Sequence, residues 1–191
     1  GKPARTVDVP EDMEKTMKEL FLMTSKPMLY VCNVLEEDAE KGNAMTEKVA
    51  AMAKEKNYEY VVICAEIESQ IAQLGSEEEK KEFLETLGLT EPGLNKIIRA
   101  GYKLLGLETY FTVGPKEARA WTIPVGAKAP QAAGVIHTDF ERGFIRAEVI
   151  AFADYVACKG EQGAKDSGKL RSEGKEYIVN DGDVILFRFN V

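Results

Sequence analysis

Two short, uninterrupted apolar runs constrain the fold of this chain most strongly. They are residues 28–32, with the sequence MLYVC, and residues 60–64, with the sequence YVVIC. Neither run alternates with polar residues, which is the pattern of strands buried on both faces of a parallel sheet. Between them, Asn43 can cap a helix with apolar residues at helical spacing, namely Met45, Val49, Met52 and Ala53. Strand, helix and strand at this spacing predict a βαβ unit with two adjacent parallel strands.

The carboxyl ends of these two strands should point the same way. Asn33 follows the first strand, and the tripeptide at residues 64–66 (CAE) follows the second. Small ligands of open α/β sheets bind where the carboxyl ends of parallel strands meet. A sheet of two strands is marginal by itself, so we expect residues 1–107 to be the back part of a larger α/β domain.

The rest of this region has helical periodicity. An N-terminal helix should begin near Pro10 and stop at Lys26-Pro27, and two further helices are predicted in EEEKKEFLETLG and GLNKIIRAGYKLLG. The residues expected to face inward are Met13, Met17, Leu20 and Phe21 in the first helix, and Leu94, Ile97, Ile98, Tyr102 and Leu105 in the last.

Residues 108–191 have the pattern of a β-rich domain. The stretch ETYFTVGPKEARAWTIPV predicts a hairpin, and Pro130 can open a short helix that runs through Ala133. Alternation in FIRAEVI predicts a strand, and NDGD is a tight-turn signal between the strand-like segments EYIV and VILFRFNV. Strands interrupted by a helix predict a small α+β domain of the β-grasp kind.

Composition excludes several classes of function. A formal charge of −7 argues against coating of nucleic acid by bulk electrostatics, and no apolar run approaches the roughly 20 residues of a membrane span. The three cysteines are far apart and lack CxxC spacing, so neither disulfides nor a zinc site are predicted. His137 is the only histidine, which excludes a multi-histidine metal centre, and we predict neither catalytic residues nor a metal site.

Asn33 and Glu36 allow two interpretations. Their Asn-x-x-Glu spacing is that of a helix capping box, although Asn43 is the better cap for the next helix. Alternatively, the Asn33 amide offers a donor and an acceptor that could pair with a purine edge. A carboxylate at the right distance would select the ring N–H groups of guanine, and lengthening Asp to Glu would disturb that selection.

The segment KPMLYVCNVLEED resembles the base-recognition segment of the YchF family of Obg-like ATPases, which are relatives of the P-loop GTPases. Ordinary members of that superfamily have Asn-Lys-x-Asp and select guanine, whereas the YchF branch has Asn-x-x-Glu and favours ATP. The resemblance implies a nucleotide site that binds ATP, or GTP, with Mg²⁺ in the parent protein. The residues that it assigns to this site are Asn33, Val34, Glu36, Cys64 and Ala65.

The resemblance continues to the end of the chain, where residues 93–150 and 160–191 are similar to the TGS domain of that family. It implies part of a P-loop NTPase domain in residues 1–107, with two parallel strands and helices, followed by an α+β, ubiquitin-like TGS domain in residues 108–191. It also implies a protein that works in translation. The spacing of the cysteines indicates a reducing compartment, so we expect a cytoplasmic protein, and the lack of a long apolar run predicts no membrane partner.

The phosphate loop GxxxxGK[ST] is missing from this sequence. Gly168 and Lys169 are followed by Leu170 where the motif needs Ser or Thr, and no strand precedes them. Without backbone N–H groups and a lysine to hold phosphates, or a Mg²⁺ ligand, hydrolysis has no physical basis. We therefore expect residues 1–191 alone to be inactive, and the ATP or GTP hydrolase activity to belong to the parent.

Cations and aromatic residues in the second region indicate an RNA or ribosome surface, through phosphate contacts and stacking. The alternative is an ordinary domain surface with one core tryptophan. The candidates are Arg119, Trp121, Lys128, His137, Arg142 and Arg146. A stand-alone module for binding RNA, the ribosome or a protein, with no nucleotide role, is the rival to the nucleotide hypothesis. An exposed sheet edge could also pair two copies into a homo-oligomer.

Overall fold

The computed structural model describes residues 1–190 and divides the chain into two compact units. The first unit is Gly1–Leu105 and the second begins at Gly106. The first unit holds a two-stranded sheet and helices, in the order α1 Glu14–Glu19, β1 Leu29–Asn33, α2 Ala44–Lys56, β2 Glu59–Ile63, α3 Ala65–Ile71, α4 Glu77–Thr86 and α5 Gly93–Leu105.

The predicted βαβ unit is confirmed. Strands β1 and β2 are parallel neighbours, with Leu29 opposite Glu59 and Asn33 opposite Ile63. The expected burial on both faces is wrong, because Val31 is 46% and Tyr60 is 41% exposed. Each strand has only one neighbour among the described strands, which leaves part of each strand in contact with solvent.

Asn43 caps α2 as the sequence predicts. Its side-chain oxygen accepts hydrogen bonds from the backbone N–H groups of Met45 and Thr46, at 2.9 and 3.2 Å. The Thr46 hydroxyl in turn accepts a 2.8 Å bond from the Asn43 N–H. This reciprocal pair fixes where the helix begins after β1.

The predicted long N-terminal helix is wrong. Helix α1 is only Glu14–Glu19, and Phe21 follows it with a φ of 48° and 81% exposure. The inward orientation predicted for Leu94, Ile98 and Leu105 is also wrong, because these side chains are 54%, 49% and 61% exposed. The spacing of apolar residues identified the apolar face of each helix, but in this unit other elements cover that face only in part.

The second unit contains a five-stranded mixed sheet in the order β4-β3-β7-β5-β6. The predicted hairpin is confirmed as β3 and β4, and FIRAEVI lies in β5. The elements are β3 Leu107–Val113, β4 Ala118–Pro124, α6 Ala129–Ile136, α7 Thr138–Arg142, β5 Phe144–Ala151, α8 Phe152–Ala157, α9 Glu161–Asp166, β6 Arg171–Glu173 and β7 Asp183–Phe189.

Two details of this unit differ from the sequence prediction. Residues 176–179, predicted as a strand, form only an isolated bridge between Ile178 and Lys128. The helix near Pro130 is longer than predicted and ends at Ile136. Its small residues Ala129, Ala132 and Ala133 are fully buried, which lets the helix approach the sheet closely.

The core of the second unit lies between α6 and one face of the sheet. Tyr110 is fully buried there, and its hydroxyl donates a 2.9 Å hydrogen bond to the Ala132 carbonyl. Burial raises the pKa of Tyr110 well above its ordinary value. Other fully buried members of this core are Ile123, Val149, Val179 and Ile185.

Candidate functional site

The carboxyl ends of β1 and β2 converge on a cavity of about 510 Å³. It contains every residue of the predicted nucleotide site, namely Asn33, Val34, Glu36, Cys64 and Ala65. Three further residues, Leu35, Glu37 and Glu66, also line it and were not assigned to the site from sequence. Their position beside the assigned residues in the same two loops was the signal that could have identified them.

The first loop of this cavity follows β1, and a backbone hydrogen bond to the end of β2 holds it in place. The Val34 N–H donates a 2.9 Å hydrogen bond to the Ile63 carbonyl, which extends the contact between the two strands by one residue. The chain then forms a 3₁₀ turn, Glu36–Asp38, whose first turn is entirely acidic. Glu36, the first residue of this turn, lines the cavity.

Asn33 joins the two loops. Its side-chain oxygen accepts a 2.9 Å hydrogen bond from the backbone N–H of Ala65. The capping-box interpretation of Asn33 and Glu36 is therefore wrong, since Leu35 is the residue that precedes the 3₁₀ turn and it makes no side-chain cap. The better cap at Asn43 already argued against the capping box, but the spacing of residues could not predict Ala65 as the partner of Asn33.

This hydrogen bond orients the Asn33 amide at the cavity. Because the Asn33 oxygen is occupied by Ala65, its amide nitrogen is left as a donor. The exposed carboxylates of Glu36, Glu37 and Glu66 are acceptors along the same cavity. The cavity thus presents one amide donor beside several carboxylate acceptors. This arrangement complements a heterocyclic ring that has a hydrogen-bond acceptor next to an amino group.

The cavity is built on the apolar interior of the first unit. Cys64 is 4% exposed and packs with Ile67, Ile71, Leu84 and Ala39. The thiol is thus part of the core, and its loop meets the cavity through the backbone. Buried packing beneath both loops keeps their backbone groups in place.

Helix α3, which starts at Ala65, also fixes the position of α5. The two carboxylate oxygens of Glu68 accept hydrogen bonds from the N–H groups of Gly93 and Leu94, at 2.7 and 3.1 Å. These N–H groups at the start of a helix have no partner inside it, so the carboxylate satisfies them and complements the helix dipole.

The residues that suggested a phosphate loop do not form one. Gly168 lies in the turn after α9 with a φ of 67°, and the Lys169 ammonium is 3.3 Å from the Asp154 carboxylate. Within residues 1–190 no cluster of three or more His, Cys, Asp or Glu side chains could hold a metal ion. In the same span, no helix is both long and apolar enough to cross a bilayer.

The six cationic and aromatic candidates of the second unit lie on several elements, and most of them already have partners. The Arg119 guanidinium lies 4.1 Å from the centre of the Trp121 ring. Lys128 pairs with Glu176, and the His137 ring caps α7 by accepting a 3.2 Å bond from the Asp139 N–H. The remaining two arginines are in ion pairs, Arg142 with Asp139 and Arg146 with Glu148.

Arg146 also belongs to a small charge network on the sheet. The Glu148 carboxylate accepts hydrogen bonds from Arg188 and Arg146, and these lower the pKa of Glu148. Arg119 is on β4 and Arg146 is on β5, and in the sheet these strands are separated by β3 and β7. Phosphate contacts would therefore have to compete with existing partners at most of these positions.

Comparisons with known proteins agree on one family. The family model YchF-GTPase_C, described as "Protein of unknown function (DUF933)", matches residues 107–190. The whole chain is 56% identical to the "Ribosome-binding ATPase YchF" of Bacillus subtilis (strain 168), of which it covers 52%. It is 54% identical, over 98% of its length, to the protein of the same name from Escherichia coli O157:H7, of which it covers 51%.

A solved structure shows the same likeness in three dimensions. The YchF GTPase of Schizosaccharomyces pombe superposes with a TM-score of 0.81 at 35% sequence identity, covering 98% of this chain and 50% of that one. The chain spans about half the length of the curated relatives it matches.

Proposed function

This chain belongs to the YchF family, and from that premise we propose that it supplies the base-binding side of an ATP site. The observation that carries the proposal is the convergence of Asn33, Glu36 and Ala65 on one cavity at the carboxyl ends of two parallel strands. This is where open α/β sheets bind nucleotides.

In this proposal the Asn33 amide nitrogen donates to N7 of the purine, an acceptor that adenine and guanine share. Val34 and the backbone around Cys64 and Ala65 form the walls that seat the ring. Glu36 sets the preference, because its carboxylate lies one methylene farther from the backbone than the aspartate that reads guanine. The 6-amino group of adenine is a donor, so a nearby carboxylate can accept from it.

Phosphates and Mg²⁺ would be held by the part of the relatives that this chain does not span. The curated relatives are named ATPases, and the residues present here fit a purine better than a phosphate. We therefore propose that residues 1–191 bind adenine nucleotides weakly and do not hydrolyse them.

The test is an NMR titration of residues 1–191 with ATP and with adenosine, together with a turnover assay. We expect both ligands to shift the amide signals of residues 33–37 and 64–66 with similar affinity, and no ATP turnover. Shifts confined to other residues would refute the base site. Turnover that stays with the chain through purification would refute the assignment of hydrolysis to the missing part.

We also propose that residues 108–191 form a β-grasp TGS domain that contacts the ribosome. The support is the family model over residues 107–190 and the printed name of the curated relatives, which calls them ribosome-binding. Such a protein would work in the cytoplasm. Co-sedimentation of the full-length protein with ribosomes, with and without residues 108–191, tests this: equal binding by both would refute it.

The rival hypothesis, a binding module without a nucleotide role, predicts a different pattern. Under that hypothesis, ribosome binding would be unaffected by ATP and by changes at Asn33. The nucleotide titration would also leave the amide signals of residues 33–37 unshifted. The same two experiments therefore distinguish the hypotheses.

A further inference from the structure

The sheet of the second unit has a gap between β3 and the end of β7. These two strands run parallel, with Phe111 opposite Val184. Strand β3 ends at Val113, whereas β7 continues to Phe189. The last residues of β7 therefore have β5 on one side and, among the described strands, no neighbour on the side of β3.

A cavity of about 500 Å³ opens at this gap, and we call it the notch. It is bounded by the turn at residues 114–117, by Trp121, by Phe140 and by the end of β7. Leu186 and Phe187 both line it, although successive side chains of a strand point to opposite faces. The notch is thus an opening in the sheet itself, which an extended backbone could enter.

The side chains that line the interior of the notch are mostly apolar, and the one indole N–H among them is already paired. The Phe140 and Phe189 rings stack with their centres 3.8 Å apart, and Trp121 lines the opposite part of the notch. The Trp121 indole N–H donates a 2.9 Å hydrogen bond to the Thr112 hydroxyl. A nucleobase would lose water from its polar edge without gaining side-chain partners here, whereas an apolar side chain has no polar edge to lose water from.

The rim of the notch carries positive charge. Lys116 in the β3–β4 turn lines the notch and is exposed. Arg119 is also exposed, and its guanidinium lies over the ring of Trp121, which lines the notch. Glu117 is the one acidic residue that lines the notch beside Lys116. A ligand with carboxylates next to its apolar part complements this arrangement.

We propose that the notch binds an extended peptide segment of a partner protein, in which an apolar residue is flanked by acidic residues. The segment adds as a strand beside the end of β7, because the backbone groups of that edge have no strand neighbour. One apolar side chain lies among Trp121, Phe140 and Phe189. The flanking carboxylates lie near Lys116 and Arg119. This role is independent of the nucleotide site.

The test uses the whole chain, labelled with ¹⁵N, and a capped hexapeptide with the sequence DEVFED. Its two adjacent apolar residues can point to the two faces of the notch, and its acidic residues can reach the rim. We expect shifts in the amides of residues 112–117 and 186–190 and in the indole N–H of Trp121. A peptide N-methylated at both apolar residues, which cannot donate to β7, should bind about tenfold more weakly.

Charge reversal supplies the second arm. The double variant Lys116→Glu, Arg119→Glu should weaken peptide binding by about tenfold, and Lys175→Glu, an exposed lysine after β6 that does not line the notch, should leave it unchanged. Both variants change surface residues, so an unchanged ¹⁵N spectrum away from the substitutions verifies the fold.

Three results would overturn the proposal. The first is the absence of shifts at the notch at millimolar peptide, and the second is equal binding of the N-methylated peptide. The third is a shift of the same amide signals by a ten-nucleotide uridine or adenosine RNA, or by self-association of the chain, at concentrations where the peptide has no effect. Light scattering would detect the self-association. These last outcomes would assign the notch to RNA or to a second copy of the chain.

Discussion

The Asn33 side-chain oxygen accepts its hydrogen bond from the Ala65 backbone N–H at 2.9 Å. This one contact ties together the loops that follow β1 and β2, and it orients the amide so that its nitrogen is the free donor. In the function proposed above, Asn33 therefore has two separable roles, which are to position the second loop and to donate to a ligand.

The first prediction separates these roles by comparing Asn33→Asp with Asn33→Ala in the full-length protein. Aspartate keeps the acceptor for the Ala65 N–H but places a negative charge where N7 of a purine needs a donor. We expect each variant to bind ATP about tenfold or more weakly, since each loses a hydrogen bond to the ligand.

The amide exchange of Ala65 distinguishes the two variants. In residues 1–191, exchange should be faster in Asn33→Ala and nearly unchanged in Asn33→Asp, because only alanine removes the acceptor. Unchanged ATP affinity in both variants would contradict the proposed contact with the base.

The second prediction concerns the choice of base. Glu36→Asp shortens the carboxylate and should raise affinity for GTP relative to ATP, because an aspartate at this position can reach the ring N–H groups of guanine. Glu37→Asp, in the same 3₁₀ turn and the same cavity, is the matched control and should leave the ratio unchanged. The measurement is the ratio of the two dissociation constants in the full-length protein. An unchanged ratio in Glu36→Asp would exclude Glu36 as the selecting residue.

The third prediction concerns the contact between α5 and β2. A Cβ atom at Gly93 would lie 2.8 Å from Cγ2 of Ile63 and 3.0 Å from a carboxylate oxygen of Glu68. Gly93→Ala should therefore destabilise the first unit by about 1–3 kcal/mol, as overpacking does.

The control lies on the same helix. A Cβ atom at Gly101 would meet nothing within 4 Å, so Gly101→Ala should stabilise the first unit by about 0.5–1 kcal/mol through the helix propensity of alanine. Amide exchange in β2 and α5 under mild denaturant reports the change. A destabilisation of equal size in both variants would mean that the close approach at Gly93 is not the cause.

The fourth prediction is a pair of opposite pH dependences in the second unit. Partial burial, with Asp181 and Asp183 nearby, raises the pKa of Glu108 despite a backbone hydrogen bond from Gly126. Folding therefore favours protonated Glu108, and this contribution is present below the ordinary value of 4.5 and lost as pH rises through the raised pKa. Glu108→Gln should stabilise the unit at about pH 7 and change little at about pH 4.

Glu148→Gln is the counterpart. Hydrogen bonds from Arg188 and Arg146 lower the pKa of Glu148, so its contribution is present above 4.5 and lost as pH falls through the lowered pKa. This variant should be destabilised at about pH 7, with the difference shrinking at low pH. Trp121 is the only tryptophan, so its fluorescence reports unfolding of this unit. Effects of the same sign in both variants would contradict these assignments.

The sequence predicted most accurately those features that depend on local chemistry. The Asn43 cap, the parallel pair of strands and the hairpin of β3 and β4 depend on neighbouring residues or on apolar runs, and all three are confirmed. The predicted ends of β1 and β2 differ from the observed ends by one residue, which is the usual uncertainty at the end of an element.

Long-range packing was the part that sequence could not supply. Leu94 and Ile98 have the spacing of a buried face, but what covers that face is not encoded in the spacing. In the candidate site, too, local features could be predicted from sequence and long-range contacts could not. The two strand ends predicted which residues line one cavity. The hydrogen bond between Asn33 and Ala65, which are 32 residues apart, depends instead on how their two loops approach each other.

The position of β7 also has a consequence during synthesis. It is the last strand of the described chain, yet it lies between β3 and β5 in the sheet, so the two flanking pairs of strands are joined only through it. Until residues 183–189 have left the ribosomal exit tunnel, the second unit can form hairpins but cannot complete its sheet, whereas the contacts of the first unit are all available earlier. A nascent chain stalled before residue 183 would therefore expose the apolar face of β3 and β5, which makes it a candidate substrate for chaperones at that stage.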